Sequence, residues 1–201
     1  MTKFYFDKET HSYWLDDEQI PSLSEIIRPL DNYSAVPPGI LANKAEFGTN
    51  VHETIRLHLD GTLDYDNLSD GNIRAINLFE TFRLDPLIPG GIREWEKPTY
   101  NEKLGYGTTP DLVCEEAIIE IKTRPMKLFR DAVQLVAQGK CFPDFPAKSY
   151  FVLHLDIKKN KYDLKKCEHP MAWSAFRKLL DRYNREKEFC DFLNKWKESC
   201  K

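Results

Sequence analysis

Apolar positions alternate from the start of the chain. Phe4 and Phe6, then Tyr13 and Leu15, flank the turn-forming run Asp7-Lys8-Glu9, which predicts a small β-hairpin. Ser22 with Glu25 three residues on, ahead of Ile26 and Ile27, is a capping-box start for a short helix that Pro29 limits. A Pro-rich joint, VPPG at 36–39, follows, and residues 40–59 then predict a helix stopped by Gly61. Another helix is expected from Ser69 or Asp70 to about Arg83, with Ile73, Ile76, Phe79 and Phe82 on its apolar face. Both helices are expected to flank a sheet.

From Ile92 the period shortens to two. IREWEKPTY, YGTTPDLVC and AIIEIKT predict three consecutive strands, with Glu115-Glu116 as the tight turn between the last two. Residues 126–142 carry Leu128, Val133, Val136 and Ala137 at helical spacing and close near Pro143. SYFVLHL at 149–155 predicts a strand, KKNK a turn, and KYDLKKC a further strand. A long amphipathic helix is expected from about Pro170 to Glu198, its stripe formed by Trp173, Phe176, Leu180, Tyr183, Phe189 and Trp196. The order αα-βββ-α-ββ-α, without internal repeats, predicts a single α/β domain over 1–201: a mixed central sheet flanked by helices.

Composition agrees with a folded chain. With 201 residues, 41% hydrophobic and 30% charged, the sequence is long enough to bury a core and too apolar for a disordered tail. No basic-then-apolar leader opens it and no apolar run reaches a membrane span, so a cytoplasmic protein with no membrane partner is expected. Cys114, Cys141, Cys167, Cys190 and Cys200 lie far apart, which predicts thiols and no iron–sulphur cluster. The net charge of −3 hides an asymmetry. Residues 157–201 hold 13 Lys/Arg against 7 Asp/Glu, leaving that segment at +6 and residues 1–156 at −9. A basic end beside an acidic body fits cations along a phosphate backbone and carboxylates gathered elsewhere, or simply a solvated Lys-rich helix.

The candidate chemistry lies in GTTPDLVCEEAIIEIKTRP, residues 107–125. Strand side chains alternate, so Glu120 and Lys122 share a face while Ile121 points away. If the two strands pair through a turn at 115–116, Asp111 lies opposite residue 120 or near it. Two carboxylates at close range repel unless a cation joins them, and hard oxygen donors select Mg²⁺ or Mn²⁺. On its own, Glu-x-Lys is ordinary on an exposed strand. Two further features stand in line with it: His52, a metal-binding side chain type, four residues after Gly48, and Gln134 and Gln138, one helical turn apart.

In order, Gly48 and His52, Gly107 with Pro110-Asp111, Glu120-Ile121-Lys122, and Gln134 with Gln138 resemble the motif series of the PD-(D/E)XK nuclease superfamily, in its RecB-like exonuclease branch. The resemblance covers roughly residues 40–155, and the leading segment is similar to short phage-encoded members. It implies a restriction-endonuclease-like core over 40–167, an N-terminal hairpin and helix appendage over 1–39, and a basic amphipathic helix over 168–201. It also implies that Asp111, Glu120, the carbonyl of Ile121 and His52 hold Mg²⁺ or Mn²⁺, that Lys122 orients or deprotonates the attacking water, and that Gln134 steadies the lysine or the phosphate. The expected function is a metal-dependent DNA nuclease, an exonuclease in phage DNA recombination or processing. The alternative is a catalytically silent relative that binds nucleic acid or another protein; a third reading leaves these residues as surface charges. Two departures stand out. Gln138 occupies a place where the family usually has Tyr, and GTTPD carries an extra Thr. No GxxxxGK[ST] loop occurs, so any unwinding falls to a recombination or helicase partner.

Overall fold

A computed structural model describes residues 2–32, 36–85, 91–142 and 149–199. Strands β1 (Phe4–Asp7), β2 (Ser12–Leu15) and β3 (Glu18–Ile20) form an antiparallel three-stranded sheet, the expected hairpin with one strand added. Helix α1 (Leu23–Ile27) begins at Ser22, whose hydroxyl accepts from the Glu25 amide while the Glu25 carboxylate accepts from the Ser22 amide. That reciprocal capping contributes about 1 kcal/mol. A 3₁₀ turn over Arg28–Leu30 carries Pro29.

Helices α2 (Pro38–Leu59) and α3 (Asp70–Arg83) follow. Gly61, at φ +70°, ends α2 in the left-handed conformation that L side chains avoid. Ser69 caps α3 by accepting from the Asn72 amide. Ile76, Phe79 and Phe82 are buried as the periodicity predicts, whereas Ile73 is exposed; the buried face runs instead through Ala75 and Leu78. Each fully buried phenylalanine contributes about 1.5–3 kcal/mol.

The strand region is more broken than its pattern. IREWEKPTY divides into β4 (Ile92–Trp95) and β5 (Thr99–Asn101), and YGTTPDLVC into β6 (Tyr106–Thr108) and β7 (Leu112–Cys114). Pro98 and Pro110 mark the two breaks, because proline cannot donate to a ladder. β5 and β6 pair separately as a two-stranded sheet. β7 turns at Glu115-Glu116 into β8 (Ala117–Lys122), with Leu112 opposite Ile119 and Val113 opposite Ile118. Helix α4 (Leu128–Gly139), strands β9 (Ser149–Asp156) and β10 (Lys161–Lys166), and helix α5 (Ala172–Ser199) complete the chain. Pro143 and Cys200 lie outside the described residues.

The main sheet has the order β10-β9-β8-β7-β4, with β8 and β9 parallel and the other pairs antiparallel. Helices cover both faces. On one, Ile118 and Val152 pack with α1 (Leu23, Ile26, Ile27), α4 (Val133, Leu135) and α5 (Phe176, Leu180). On the other, Ile119, Ile121 and Leu153 pack with α2 (Val51, Ile55) and α3 (Phe79, Phe82). β8 is thus buried on both faces, which explains its unbroken apolar start. The expected stripe of α5 is buried only in its first half: Phe176 and Leu180 are covered, while Phe189 and Trp196 are exposed. Leu128, at the start of α4, is exposed as well.

The N-terminal sheet is fixed to the rest by a close approach. The Tyr13 ring lies on Gly107 so tightly that a Cβ there would come within 2.3 Å of it. Tyr13 Oη is 2.8 Å from Thr109 Oγ1, and the Gly107 amide donates to the Pro21 carbonyl at 2.9 Å. Among the described residues no helix is long and apolar enough to cross a membrane.

Candidate active site

The β7–β8 register carries Asp111 alongside Glu120. Asp111 Oδ2 accepts from the Ile121 amide at 2.6 Å, and the other oxygen, Oδ1, lies 3.1 Å from His52 Nδ1 on α2. Both carboxylates are buried, Asp111 at 6% exposure and Glu120 at 4%, so each requires partners to remain charged. Glu120 has three. Lys122 Nζ donates to its Oε1 at 2.6 Å, Gln134 Nε2 donates to the same oxygen, and Gln138 Nε2 donates to Oε2 at 2.9 Å.

Gln134 is itself held from behind. Arg130 donates to its carbonyl oxygen and also pairs with Asp31 at 3.1 Å, so a polar chain runs from the end of the 3₁₀ turn through α4 to Glu120. Gln138 Oε1 is buried and has no hydrogen-bond partner among the described residues.

The structure adds Glu96, a residue the sequence pattern does not single out. His52, Glu96 and Asp111 each offer a donor atom, and the three lie within 4.8 Å of one another. Glu96 sits at the bend between β4 and β5 with φ +44°, an uncommon conformation for glutamate, held there by its amide donating to the Asp111 carbonyl at 3.1 Å. Its carboxylate reaches His52 Nδ1 at 3.5 Å. The sequence signal was slight: a glutamate two residues before a proline that interrupts a strand. Glu120 and Ile121 are not part of this group of three; they flank it on β8.

Burial alone would lower the His52 pKa. The Asp111 charge and the hydrogen bonds to Asp111 and Glu96 outweigh it and hold the imidazolium up to about 10, against its ordinary 6.5. His154 differs. It pairs in register with Lys122 across β8 and β9, and burial keeps its pKa below the ordinary value.

His52, Glu96, Asp111, Glu120, Lys122 and His154, with Gln134 and Gln138, line one cleft of about 1460 Å³. The N-terminal hairpin and the first half of α2 also line it, through Phe6, His11 and Lys44 among others. Two carboxylates and an imidazole converging on one point are hard and borderline donors suited to a divalent ion, and a lysine stands beside them.

A mixed sheet with helices on both faces, and with one carboxylate leading into a strand and a second on the strand beside it, is a restriction-endonuclease-like core. Among solved structures, LHK-Exo in complex with dAMP shares this fold at a TM-score of 0.51 and 14% identity, covering 90% of this chain and 95% of that one. A structure of an alkaline exonuclease (LHK-Exo) from Laribacter hongkongensis aligns at a TM-score of 0.44 and 14% identity, over 76% and 86% of the two chains. No protein-family model and no curated protein matches the sequence.

Proposed function

We propose that this chain is a divalent-metal-dependent DNA nuclease of the RecB-like exonuclease kind. The observation that carries the reading is the convergence of His52, Glu96 and Asp111 beside the Glu120–Lys122 pair in a single cleft. The donor set fits Mg²⁺ or Mn²⁺: Asp111 is oriented by the Ile121 amide, His52 and Glu96 approach it from two other elements, and Glu120 with the Ile121 carbonyl flanks them on β8. When bound, such an ion lowers the pKa of a coordinated water and offsets charge on the phosphate.

The chain's own residues do the rest. Lys122, held by Glu120, supplies an ammonium to the phosphate as its charge grows and orients the attacking water. Gln134 and Gln138 fix Glu120 so that it need not reorganise during the reaction. The dAMP held by LHK-Exo supports a nucleotide ligand for this fold. Resemblance to short phage-encoded members extends the reading to phage recombination or DNA processing in the host cytoplasm, with a recombination or helicase partner for unwinding.

The test is digestion of end-labelled linear DNA and covalently closed circles with Mg²⁺ or Mn²⁺. We expect loss of the linear substrate, intact circles, and no hydrolysis in chelator. Metal-independent cutting, or none under any divalent ion, would overturn the proposal; cleaved circles would exclude an obligate exonuclease.

His52 gives the metal site a pH signature. Because its metal-free pKa is about 10, an ion must displace a proton throughout the neutral range. Mn²⁺ affinity should therefore rise about tenfold per pH unit between neutrality and about pH 10, with about one proton released per ion. His52→Ala should bind more weakly at high pH and lose this slope. Calorimetric titration in buffers of different ionisation enthalpy reads the proton count directly. In the metal-free protein the sign reverses: a raised pKa means the His52 contribution to stability is complete below about pH 6.5 and disappears as pH climbs through about 10.

A further inference from the structure

The hairpin that leads the chain takes no part in the chemistry above, yet it forms a wall of the same cleft. Phe6 and His11 both line it, with their rings 5.2 Å apart edge to face, and Phe6 is backed by Tyr13 at 4.9 Å. Tyr13 in turn makes the wall rigid. It is locked onto Gly107 and bonded to Thr109, two residues before Asp111, so the aromatic surface is held at a fixed offset from the carboxylates.

Besides Lys122, three lysines line the cleft from three separate elements: Lys8 in the β1–β2 turn, Lys44 on α2 and Lys158 in the β9–β10 turn. All three are exposed, and among the described residues none is in a salt bridge. They face a cleft whose floor is acidic. Exposed cations and aromatic rings lining one cleft form the pattern that holds an unpaired strand, the cations following the phosphates and the rings stacking on bases. Within a duplex a paired base keeps its faces stacked on its neighbours, and only the end pair has a face to offer Phe6 or His11.

We infer that the N-terminal hairpin is a base-stacking wall and that the cleft takes an unpaired DNA strand, with Phe6 and His11 against bases and Lys8, Lys44 and Lys158 along the backbone. The inference rests on the nuclease reading for the identity of the ligand, and it goes further in naming the strand class and the contacting residues. These residues recognise substrate and leave the chemistry to the floor of the cleft.

The test is fluorescence anisotropy of a labelled oligothymidylate and of a blunt duplex of equal length, with the full chain and Ca²⁺ as the only divalent ion. The single strand should bind at least about tenfold more tightly than the duplex, the scale of losing one or two stacked bases. Phe6→Leu keeps the apolar volume that Tyr13 packs on, and His11→Asn suits the left-handed backbone at φ 52°, so both variants should melt as wild type does. Each should weaken single-strand binding about 5- to 100-fold with duplex binding unmoved. Equal affinity for duplex, or full single-strand affinity in both variants, overturns the stacking wall. The two proposals fail separately: stacking-dependent binding without hydrolysis under any divalent ion sinks the nuclease reading alone, whereas hydrolysis by wild type with unaltered binding in both variants sinks the wall alone.

Discussion

Asp111→Asn and Glu120→Gln are each expected to lower metal-dependent DNA hydrolysis by at least about 10²-fold, the scale of removing one fixed charge from a phosphoryl-type transition state. The two variants should differ in stability. Asp111→Asn retains a side-chain carbonyl oxygen for the Ile121 amide, and the new amide group leaves the His52 imidazolium with Glu96 as its remaining close carboxylate. The fold should change little. Glu120→Gln is the more disruptive change, because three donors converge on Glu120 and the new amide adds a fourth donor to a buried site with one oxygen fewer. That mismatch costs about 1–3 kcal/mol. Initial rates on labelled linear DNA, read beside thermal melting curves, separate the two effects. Wild-type rates in Asp111→Asn would remove Asp111 from the machinery, and an Asp111→Asn protein that fails to fold would make its role structural.

The largest expected loss of stability falls elsewhere, at Asp131. This carboxylate is fully buried and accepts from both terminal nitrogens of Arg124, at 3.0 and 2.6 Å, and from the Lys127 amide at 2.7 Å, tying the start of α4 to the end of β8. Its burial raises the pKa, but the Arg124 hydrogen bonds and charge, with the Lys127 amide, bring it below the ordinary carboxylate value. Asp131→Ala leaves a cation facing a cavity. Breaking such a pair costs about 3 kcal/mol here, the low end of the usual range, because about a quarter of the Arg124 side chain remains in water. A depressed pKa means the contribution is present above pH 3.8 and is lost as pH falls through the lower folded value. Urea titrations should therefore show a wide gap between wild type and variant at neutral pH that closes in strong acid. A gap below about 1 kcal/mol at neutral pH would reduce Asp131 to a weak surface-type pair.

Local grammar accounts for what could be read from the chain. Ser22 with Glu25 and Ser69 before α3 announce helix starts because a cap is made within a few residues of itself. The alternation in AIIEIK puts Glu120 and Lys122 on one face, and the Glu115-Glu116 turn sets the register that brings Asp111 beside them. What escaped depends on distant partners. Glu96 joins His52 and Asp111 only because the chain bends at a positive φ, and that bend is held by the Asp111 carbonyl. Ile73 and Phe189 continue apolar stripes whose period is correct, yet a period cannot say how far the opposing surface extends.

The first core cluster contains Leu23, Ile26 and Ile27 from one end of the chain and Phe176 and Leu180 from the other. Its closure is therefore an event of high contact order, completed only when nearly all residues are present. On the ribosome, α1 can cap and coil early, and β8 and α4 cover part of its apolar face, but that face is closed only when α5 emerges. The polar chain from Asp31 to Glu120 passes through this same layer, so the geometry of the cleft is among the last features of the molecule to be set.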